Sequence, residues 1–202
     1  MSKPRAAPRQ QRSRDTYERV LDVAAEVFHA FGYAATTTNK VAEAAGISIG
    51  TLYHYIQDKD ALLYALAERH LASGSDSLIG VFVRLRAEQP DLEGSLRAVI
   101  EVIVAMHIDE PHLHYLLYDS APRSQELQHR LQEADAAMAE EVAWHLERLG
   151  VASHHRRLIA DLLVTGVEAQ VHRALLDPAG PVAPDVLVDV ITKLWKQALA
   201  NF

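Results

Sequence analysis

The sequence predicts an all-α protein of roughly nine helices, a small N-terminal part followed by a larger helical body. Three observations carry that prediction. Apolar residues recur at intervals of three and four along most of the 202-residue chain, the spacing that lines side chains up on one helix face. Pro90, Pro111, Pro122, Pro178, Pro181 and Pro184 fall between those stretches, where helices stop or start. No convincing stretch alternates apolar with polar residues as a half-buried strand does.

Taken in order, residues 1–12 read as a disordered basic tail. Lys3, Arg5, Arg9, Arg12 and Arg14 precede the first acid, Asp15. A helix follows, with Val20, Val23, Ala24, Val27, Phe28 and Phe31 on one buried stripe and Gly32 as its stop. Thr37 can cap a short second helix that buries Val41, Ala42 and Ala45. Gly46 permits a tight turn, Ile47 plugs the angle, and Ser48 can cap a third helix from about Ile49 to Tyr55, with Leu52 and Ile56 inward. Two short helices joined through a glycine turn form a helix-turn-helix. The expected boundaries are 13–59 for this domain and 60–202 for the body. Later stripes run through Leu96, Val99, Ile100 and Ile103, then Leu127, Leu131, Met138, Val142 and Leu146. The last two begin at Leu158 and Val190.

Composition narrows the chemistry. With no cysteine in the chain, disulfides, thiolate zinc sites, iron–sulfur clusters and a cysteine nucleophile are excluded. No signal-peptide pattern and no apolar run of membrane-spanning length occurs, so a soluble, cytoplasmic protein without a membrane partner is expected. Residues 1–60 carry eight Lys/Arg against seven Asp/Glu, whereas residues 61–202 carry twelve against twenty. That asymmetry suits a protein that touches a polyanion with one part only.

The stretch VLDVAAEVFHAFGYAATTTNKVAEAAGISIGTLYHYIQDKDALLYAL resembles the DNA-binding domain of the tetracycline-repressor (TetR) family of transcriptional regulators. The matching features include Ala25, Phe28, Gly32-Tyr33, Val41-Ala42 and Ala45-Gly46-Ile47-Ser48, then Gly50-Thr51-Leu52-Tyr53, Lys59 and Leu62. Thr38 and Ile56 stand where larger apolar residues are common. The resemblance covers about a quarter of the chain, and it implies where DNA is met. Thr37 and Thr38 offer hydroxyls and N–H groups to phosphate, and Asn39 takes a base-reading position where asparagine can pair with adenine. Ile49, Gly50 and Thr51 open the recognition helix. Tyr53 and His54 resemble the family's phosphate-contacting pair, and Lys59 adds a charge at the next helix.

For the body, the same resemblance implies ligand binding and dimerisation. The expected product is a homodimeric repressor on a palindromic double-stranded operator, released by a small, largely apolar effector. Candidate dimer residues are Leu158, Leu162, Gly166, Val167, Ala169 and Val171 on one helix, with Leu194, Trp195 and Leu199 near the C-terminus. Met106, His107, Tyr115, Tyr118, Trp144 and His145 are candidate pocket residues by position. His107, His112 and His114 cluster in sequence, but Pro111 breaks the segment and the last two point to different sides of a helix. They read as structural, and no metal or other cofactor is expected. Two other readings stand beside this one. The body could bind a protein partner instead of a small molecule. A helical di-iron enzyme would use Glu26-x-x-His29 and Glu126-x-x-His129, yet both pairs lie opposite the apolar stripes and face water. No catalytic residue is assigned.

Overall fold

The computed structural model describes residues 11–117, 125–151, 154–175, 180 and 182–200, and every regular element among them is helical. In chain order these are α1 (Gln11–Ala35), α2 (Thr38–Ala44), α3 (Ile49–Tyr55), α4 (Lys59–Glu88) and α5 (Leu92–Asp109), then α6 (Pro111–Tyr115), α7 (Gln125–Arg148), α8 (Arg156–Leu175) and α9 (Pro184–Leu199). The all-α class and the count of nine thus hold among the described residues. Most of the basic tail, and Tyr118, lie outside them.

The described chain divides into two units. The first takes the residues up to Ala72 together with His112–Gln128. Along α1 the stripe of Val20, Leu21, Ala24, Val27 and Phe28 is buried. Phe31 departs from the expected stripe: it is 53% exposed. The cause is Gly32, whose φ of 69° and ψ of 168° break the helix there, a conformation glycine adopts without a Cβ clash. Beyond the break Tyr33 stacks on Phe28, ring centroids 6.0 Å apart, so Tyr33 rather than Phe31 covers that end of the core. Phe31 instead carries the Lys40 ammonium 4.3 Å from its ring centre. The buried Thr36 hydroxyl donates to the Gly32 carbonyl at 2.7 Å and closes the turn.

The short helices start where their caps dictate. Thr37 Oγ1 accepts the Lys40 N–H at 3.3 Å, and Ser48 Oγ accepts the Thr51 N–H at 3.0 Å. Each satisfies an orphan donor of the first turn. Between them Gly46 turns the chain with φ 65°. Asp58 repeats the device at α4, accepting the Ala61 N–H at 2.7 Å. Leu52, Ile56 and the run Ala61 to Ala67 are all buried, and each fully buried leucine contributes about 2 kcal/mol.

The second unit takes Ser73–Pro111 and the residues from His129 onward. One core gathers Leu78, Val81, Phe82 and Leu85 of α4 with Leu96, Val99, Ile100, Ile103 and Val104 of α5. Val142 and Leu146 of α7 join it, as do Ile159, Leu163, Val164, Val167 and Val171 of α8, and Leu187, Val188 and Ile191 of α9. Helix α5 packs on α8 and α9, which pack on each other. Gly166 makes the α8–α9 approach possible, because a Cβ there would lie 2.7 Å from the Trp195 ring. The Trp195 indole N–H donates to Gln170 Oε1 at 3.1 Å and fixes the ring over that glycine.

Candidate nucleic-acid interface and body cavity

Helix α3 is seven residues long and buries Leu52 alone among them. Ile49, Gly50, Thr51, Tyr53 and His54 are exposed, as are Thr37 at the cap of α2 and Asn39 within it. Thr38 is half-buried, and its hydroxyl meets the Tyr53 hydroxyl at 3.2 Å. That contact joins α2 and α3 through two groups that can each donate to a phosphate oxygen. A helix anchored by one buried leucine turns most of its side chains outward rather than into a core. Ser13 Oγ lies 3.0 Å from Tyr55 Oη, which sets the basic start of α1 (Arg12 and Arg14 in sequence) beside the end of α3. Spacing could not reveal that neighbour, since 42 residues separate the pair.

Lys59 is tied down more firmly than its sequence position suggests. Its Nζ donates to the carbonyls of Tyr33 at 3.0 Å and Ala34 at 3.4 Å, and lies 4.2 Å from the centre of the Tyr33 ring. The Tyr33 hydroxyl donates to Asp60 Oδ1. Burial first, then that hydrogen bond and the charges of Asp60 and Asp58, hold the Tyr33 phenol far above its ordinary range. It stays a donor at any working pH, and the Lys59–Tyr33–Asp60 set fixes the start of α4 against the end of α1.

The second unit contains a cavity of about 40 Å³ between α4, α5, α7 and α8, room for a few water molecules. Its wall is aliphatic and aromatic, including Phe82, Leu85, Leu96, Ile100, Val142 and Leu163, with Ser95 and His145 as the polar exceptions. Ser95 Oγ already accepts from Arg148 Nη2 at 3.1 Å. His145 differs: both ring nitrogens are buried without a hydrogen-bond partner among the described residues. Its ring stacks near Phe82 at 5.6 Å and meets Trp144 edge-on at 4.8 Å. Burial, then the charges of Arg148 and Arg86 against the opposing Glu141, push its imidazole below the ordinary value.

Of the other pocket residues expected from sequence, none that the structure describes lines this cavity. Trp144 is exposed beneath the Arg86 guanidinium, 3.7 Å from its ring centre, and Tyr115 is exposed as well. Met106 reaches Gly74 on α4. His107 is buried and bonded through Nδ1 to the Ile103 carbonyl at 2.9 Å. The aliphatic lining residues carry no signal that separates a cavity wall from ordinary core, so sequence could not single them out. Nearby, burial and then the Glu168 charge push Asp135 up to about 6. In the first unit His112 stacks on His29 with ring centres 3.4 Å apart, and burial followed by His29 lowers it. His114 is buried against His70. Glu26, His29 and His129 are exposed, as their positions opposite the stripes imply.

Helix α8 is apolar on two faces. Ile159, Leu163, Val167 and Val171 are buried, whereas Leu158 and Leu162 are 55% and 54% exposed and Ala169 is exposed beside them. Helix α9 repeats the division: Leu187, Ile191 and Leu199 are buried, while Val186, Val190 and Leu194 form an exposed stripe. Of the expected dimer residues, Val167, Val171 and Leu199 therefore belong to the subunit's own core, and Gly166 accommodates the Trp195 of the same chain. The reason is that α8 feeds two apolar faces from one sequence run.

Residues 20–66 match the family described as bacterial regulatory proteins, tetR family, and residues 91–194 match the tetracyclin repressor-like C-terminal domain. The HTH-type transcriptional repressor KstR2 of Rhodococcus jostii is 34% identical over 92 residues, 44% of this chain and 43% of that protein. The chain spans less than half the length of the curated relatives it matches. A protein of Mesorhizobium loti described as a TetR-family transcriptional regulator shares the fold with a TM-score of 0.76 at 22% identity, over 95% of this chain and 98% of that one. The structure of AibR in complex with isovaleryl coenzyme A and operator DNA gives 0.68 at 16% identity, over 89% and 97%.

Proposed function

The chain belongs to the tetR family of bacterial regulatory proteins, and from that membership we propose that it is a cytoplasmic, homodimeric transcriptional repressor, released from a palindromic operator by a small, largely apolar effector. Residues 13–59 form the DNA-binding part in this reading, and the remainder binds ligand and partner. The observation that carries it is α3, a helix anchored by Leu52 with Ile49, Thr51, Tyr53 and His54 left open. Tyr53, Thr38 and Lys59 meet phosphates, while Asn39 and the start of α3 read bases. The exposed stripes of α8 and α9 are the dimer face, because Leu158, Leu162, Val190 and Leu194 together are more apolar surface than a lone subunit ordinarily leaves in water.

The effector half rests on the cavity and on His145. An apolar wall favours an apolar ligand, and a buried imidazole lacking a protein partner gains a hydrogen bond from a ligand's polar end. The relative seen with isovaleryl coenzyme A and operator DNA supports this division of labour for the fold. At about 40 Å³ the cavity must widen to admit even a short acyl chain, so the ligand selects a more open conformation of the body. That same small volume favours the second reading, a body that binds a protein partner. A thermal-shift screen of fatty acids, acyl thioesters and apolar drugs separates the two, followed by operator titration with each hit. Stabilising ligands that also lower operator affinity support the effector reading; a screen without hits supports the protein partner.

A further inference from the structure

At the polar end of the second unit's cavity stands a positive charge that no acid balances. Ser95 is part of the wall, and its Oγ accepts from Arg148 Nη2 at 3.1 Å while donating to the Pro90 carbonyl at 3.3 Å. Arg148 Nη1 donates to that same carbonyl at 3.1 Å. Both partners of the guanidinium are therefore neutral oxygens, and no acid among the described residues pairs with it. The acids on the neighbouring stretches are committed elsewhere. Asp91 caps α5 through the Gly94 N–H, Glu93 pairs with Lys196, Glu141 with Arg86, and Glu147 with Arg156. Of the five N–H donors a guanidinium carries, two are used, and the Nε–H is buried with no partner among the described residues. His145 stands one turn before Arg148 on α7, on the same side of the helix, and belongs to the cavity wall. It is 5% exposed, and both of its ring nitrogens lack a hydrogen-bond partner. Burial first, then the Arg148 charge, hold its imidazole below the ordinary value, so at neutral pH the ring is uncharged, with one donor and one acceptor to offer. Buried polar groups are ordinarily satisfied; here two side chains at one end of an apolar cavity are not.

We infer that the ligand of this cavity is an ionised carboxylic acid with an apolar tail, its head held by Arg148 and His145. The inference rests on the reading of the body as a small-molecule receptor, and adds the head group and charge which that reading leaves open. The Nε–H and an adjacent Nη–H of arginine form a planar fork that matches the two oxygens of a carboxylate. A His145 ring N–H donates to the same group. A neutral amide offers one carbonyl oxygen and no charge. Arg148 stands behind Ser95 rather than in the wall itself, so the widening that admits the tail also brings the guanidinium within reach, and the carboxylate replaces the Ser95 hydroxyl on Nη2. Spacing could not pair Arg148 with Ser95, which lies 53 residues earlier.

The test is isothermal titration calorimetry of the full-length protein with octanoate and with octanamide, its neutral counterpart of equal tail, at about pH 7.5, where the carboxyl is ionised. The expected result is saturable binding of octanoate, on the order of tenfold or more tighter than octanamide, the scale of one hydrogen bond to a charged group. Arg148→Gln should erase that preference with helix content unchanged by circular dichroism, and Arg148→Lys, a point charge without the fork, should keep part of it. His145→Phe should weaken both probes. Arg86→Gln, whose charge is paired with Glu141, should leave the preference intact. If Arg148→Gln does not fold, a reduced preference in Arg148→Lys decides. Equal affinity for the two probes overturns the inference while leaving an apolar effector with another head group standing. Absence of octanoate binding overturns it too, as does a preference that survives Arg148→Gln. Octanoate bound with this preference but without effect on operator affinity upholds the ligand class and counts against the effector reading instead.

Discussion

Lys59 spends two of its three donors on the Tyr33 and Ala34 carbonyls, so the phosphate contact proposed for it and its hold on α4 are coupled. Lys59→Ala should lower the slope of log affinity against log salt by about 1, as expected for one lost phosphate contact, and should also lower thermal stability. Tyr53→Phe carries no charge change. It should weaken binding to all sequences while leaving that slope alone, whereas Asn39→Ala should relax preference at one base pair. Fluorescence anisotropy with specific and scrambled duplexes at several salt concentrations distinguishes the three. His145 supplies a pH test. Its folded pKa lies below the ordinary value, so below about pH 6.5 the unfolded chain binds more protons than the folded one, and stability falls as the pH drops through that range. His145→Phe keeps the ring packing and should lose less stability between pH 7 and pH 5 than the wild type does. Equal losses would show that His145 is not held neutral by its surroundings.

The elements differ in how much of their role is local, and that decides what could be read from sequence. Thr37 and Ser48 cap α2 and α3 as their residue types imply, because a cap is made within three residues. Ser48→Ala should therefore cost about 1 kcal/mol in chemical denaturation and weaken DNA binding by loosening the start of α3. The Gly32 stop was legible for the same reason. Phe31 was not, since only the tertiary partner Tyr33 decides which aromatic covers the core. Helix α8 shows the limit most clearly: Leu158, Leu162, Val167 and Val171 belong to one apolar run, and periodicity cannot say which face meets its own subunit. With the faces now separated, Leu162→Glu and Leu194→Glu should convert dimer to monomer in light scattering with helix content retained. Val167→Glu places a charge in the core and should unfold the subunit. Unfolding by Leu162→Glu would instead assign that face to the subunit's interior.

At the scale of the whole molecule, charge and cavity divide the work. Residues 61–202 are acidic in balance, so in the proposed reading the body repels the DNA that α2 and α3 meet, and orientation on the duplex follows from where the few basic residues stand. Release by an effector needs no direct contact with DNA. A hundredfold loss of operator affinity requires about 2.7 kcal/mol of differential binding between two conformations of the body, within reach of a ligand that buries an acyl chain and satisfies His145. Helix α4 supplies residues to both units as one continuous element, which makes it the natural carrier of that difference. All of this presupposes a dimer that reads DNA through α3. The most direct test is selection of bound duplexes from a random pool by the full-length protein, followed by titration of the enriched sequence over a range of salt. The expected result is an inverted repeat with half-sites about 10 bp or more apart, bound by a dimer, with affinity falling steeply as salt rises and weakened by Tyr53→Phe. A pool that yields no inverted repeat, or a selected duplex bound equally well by Tyr53→Phe and at every ionic strength, would contradict it.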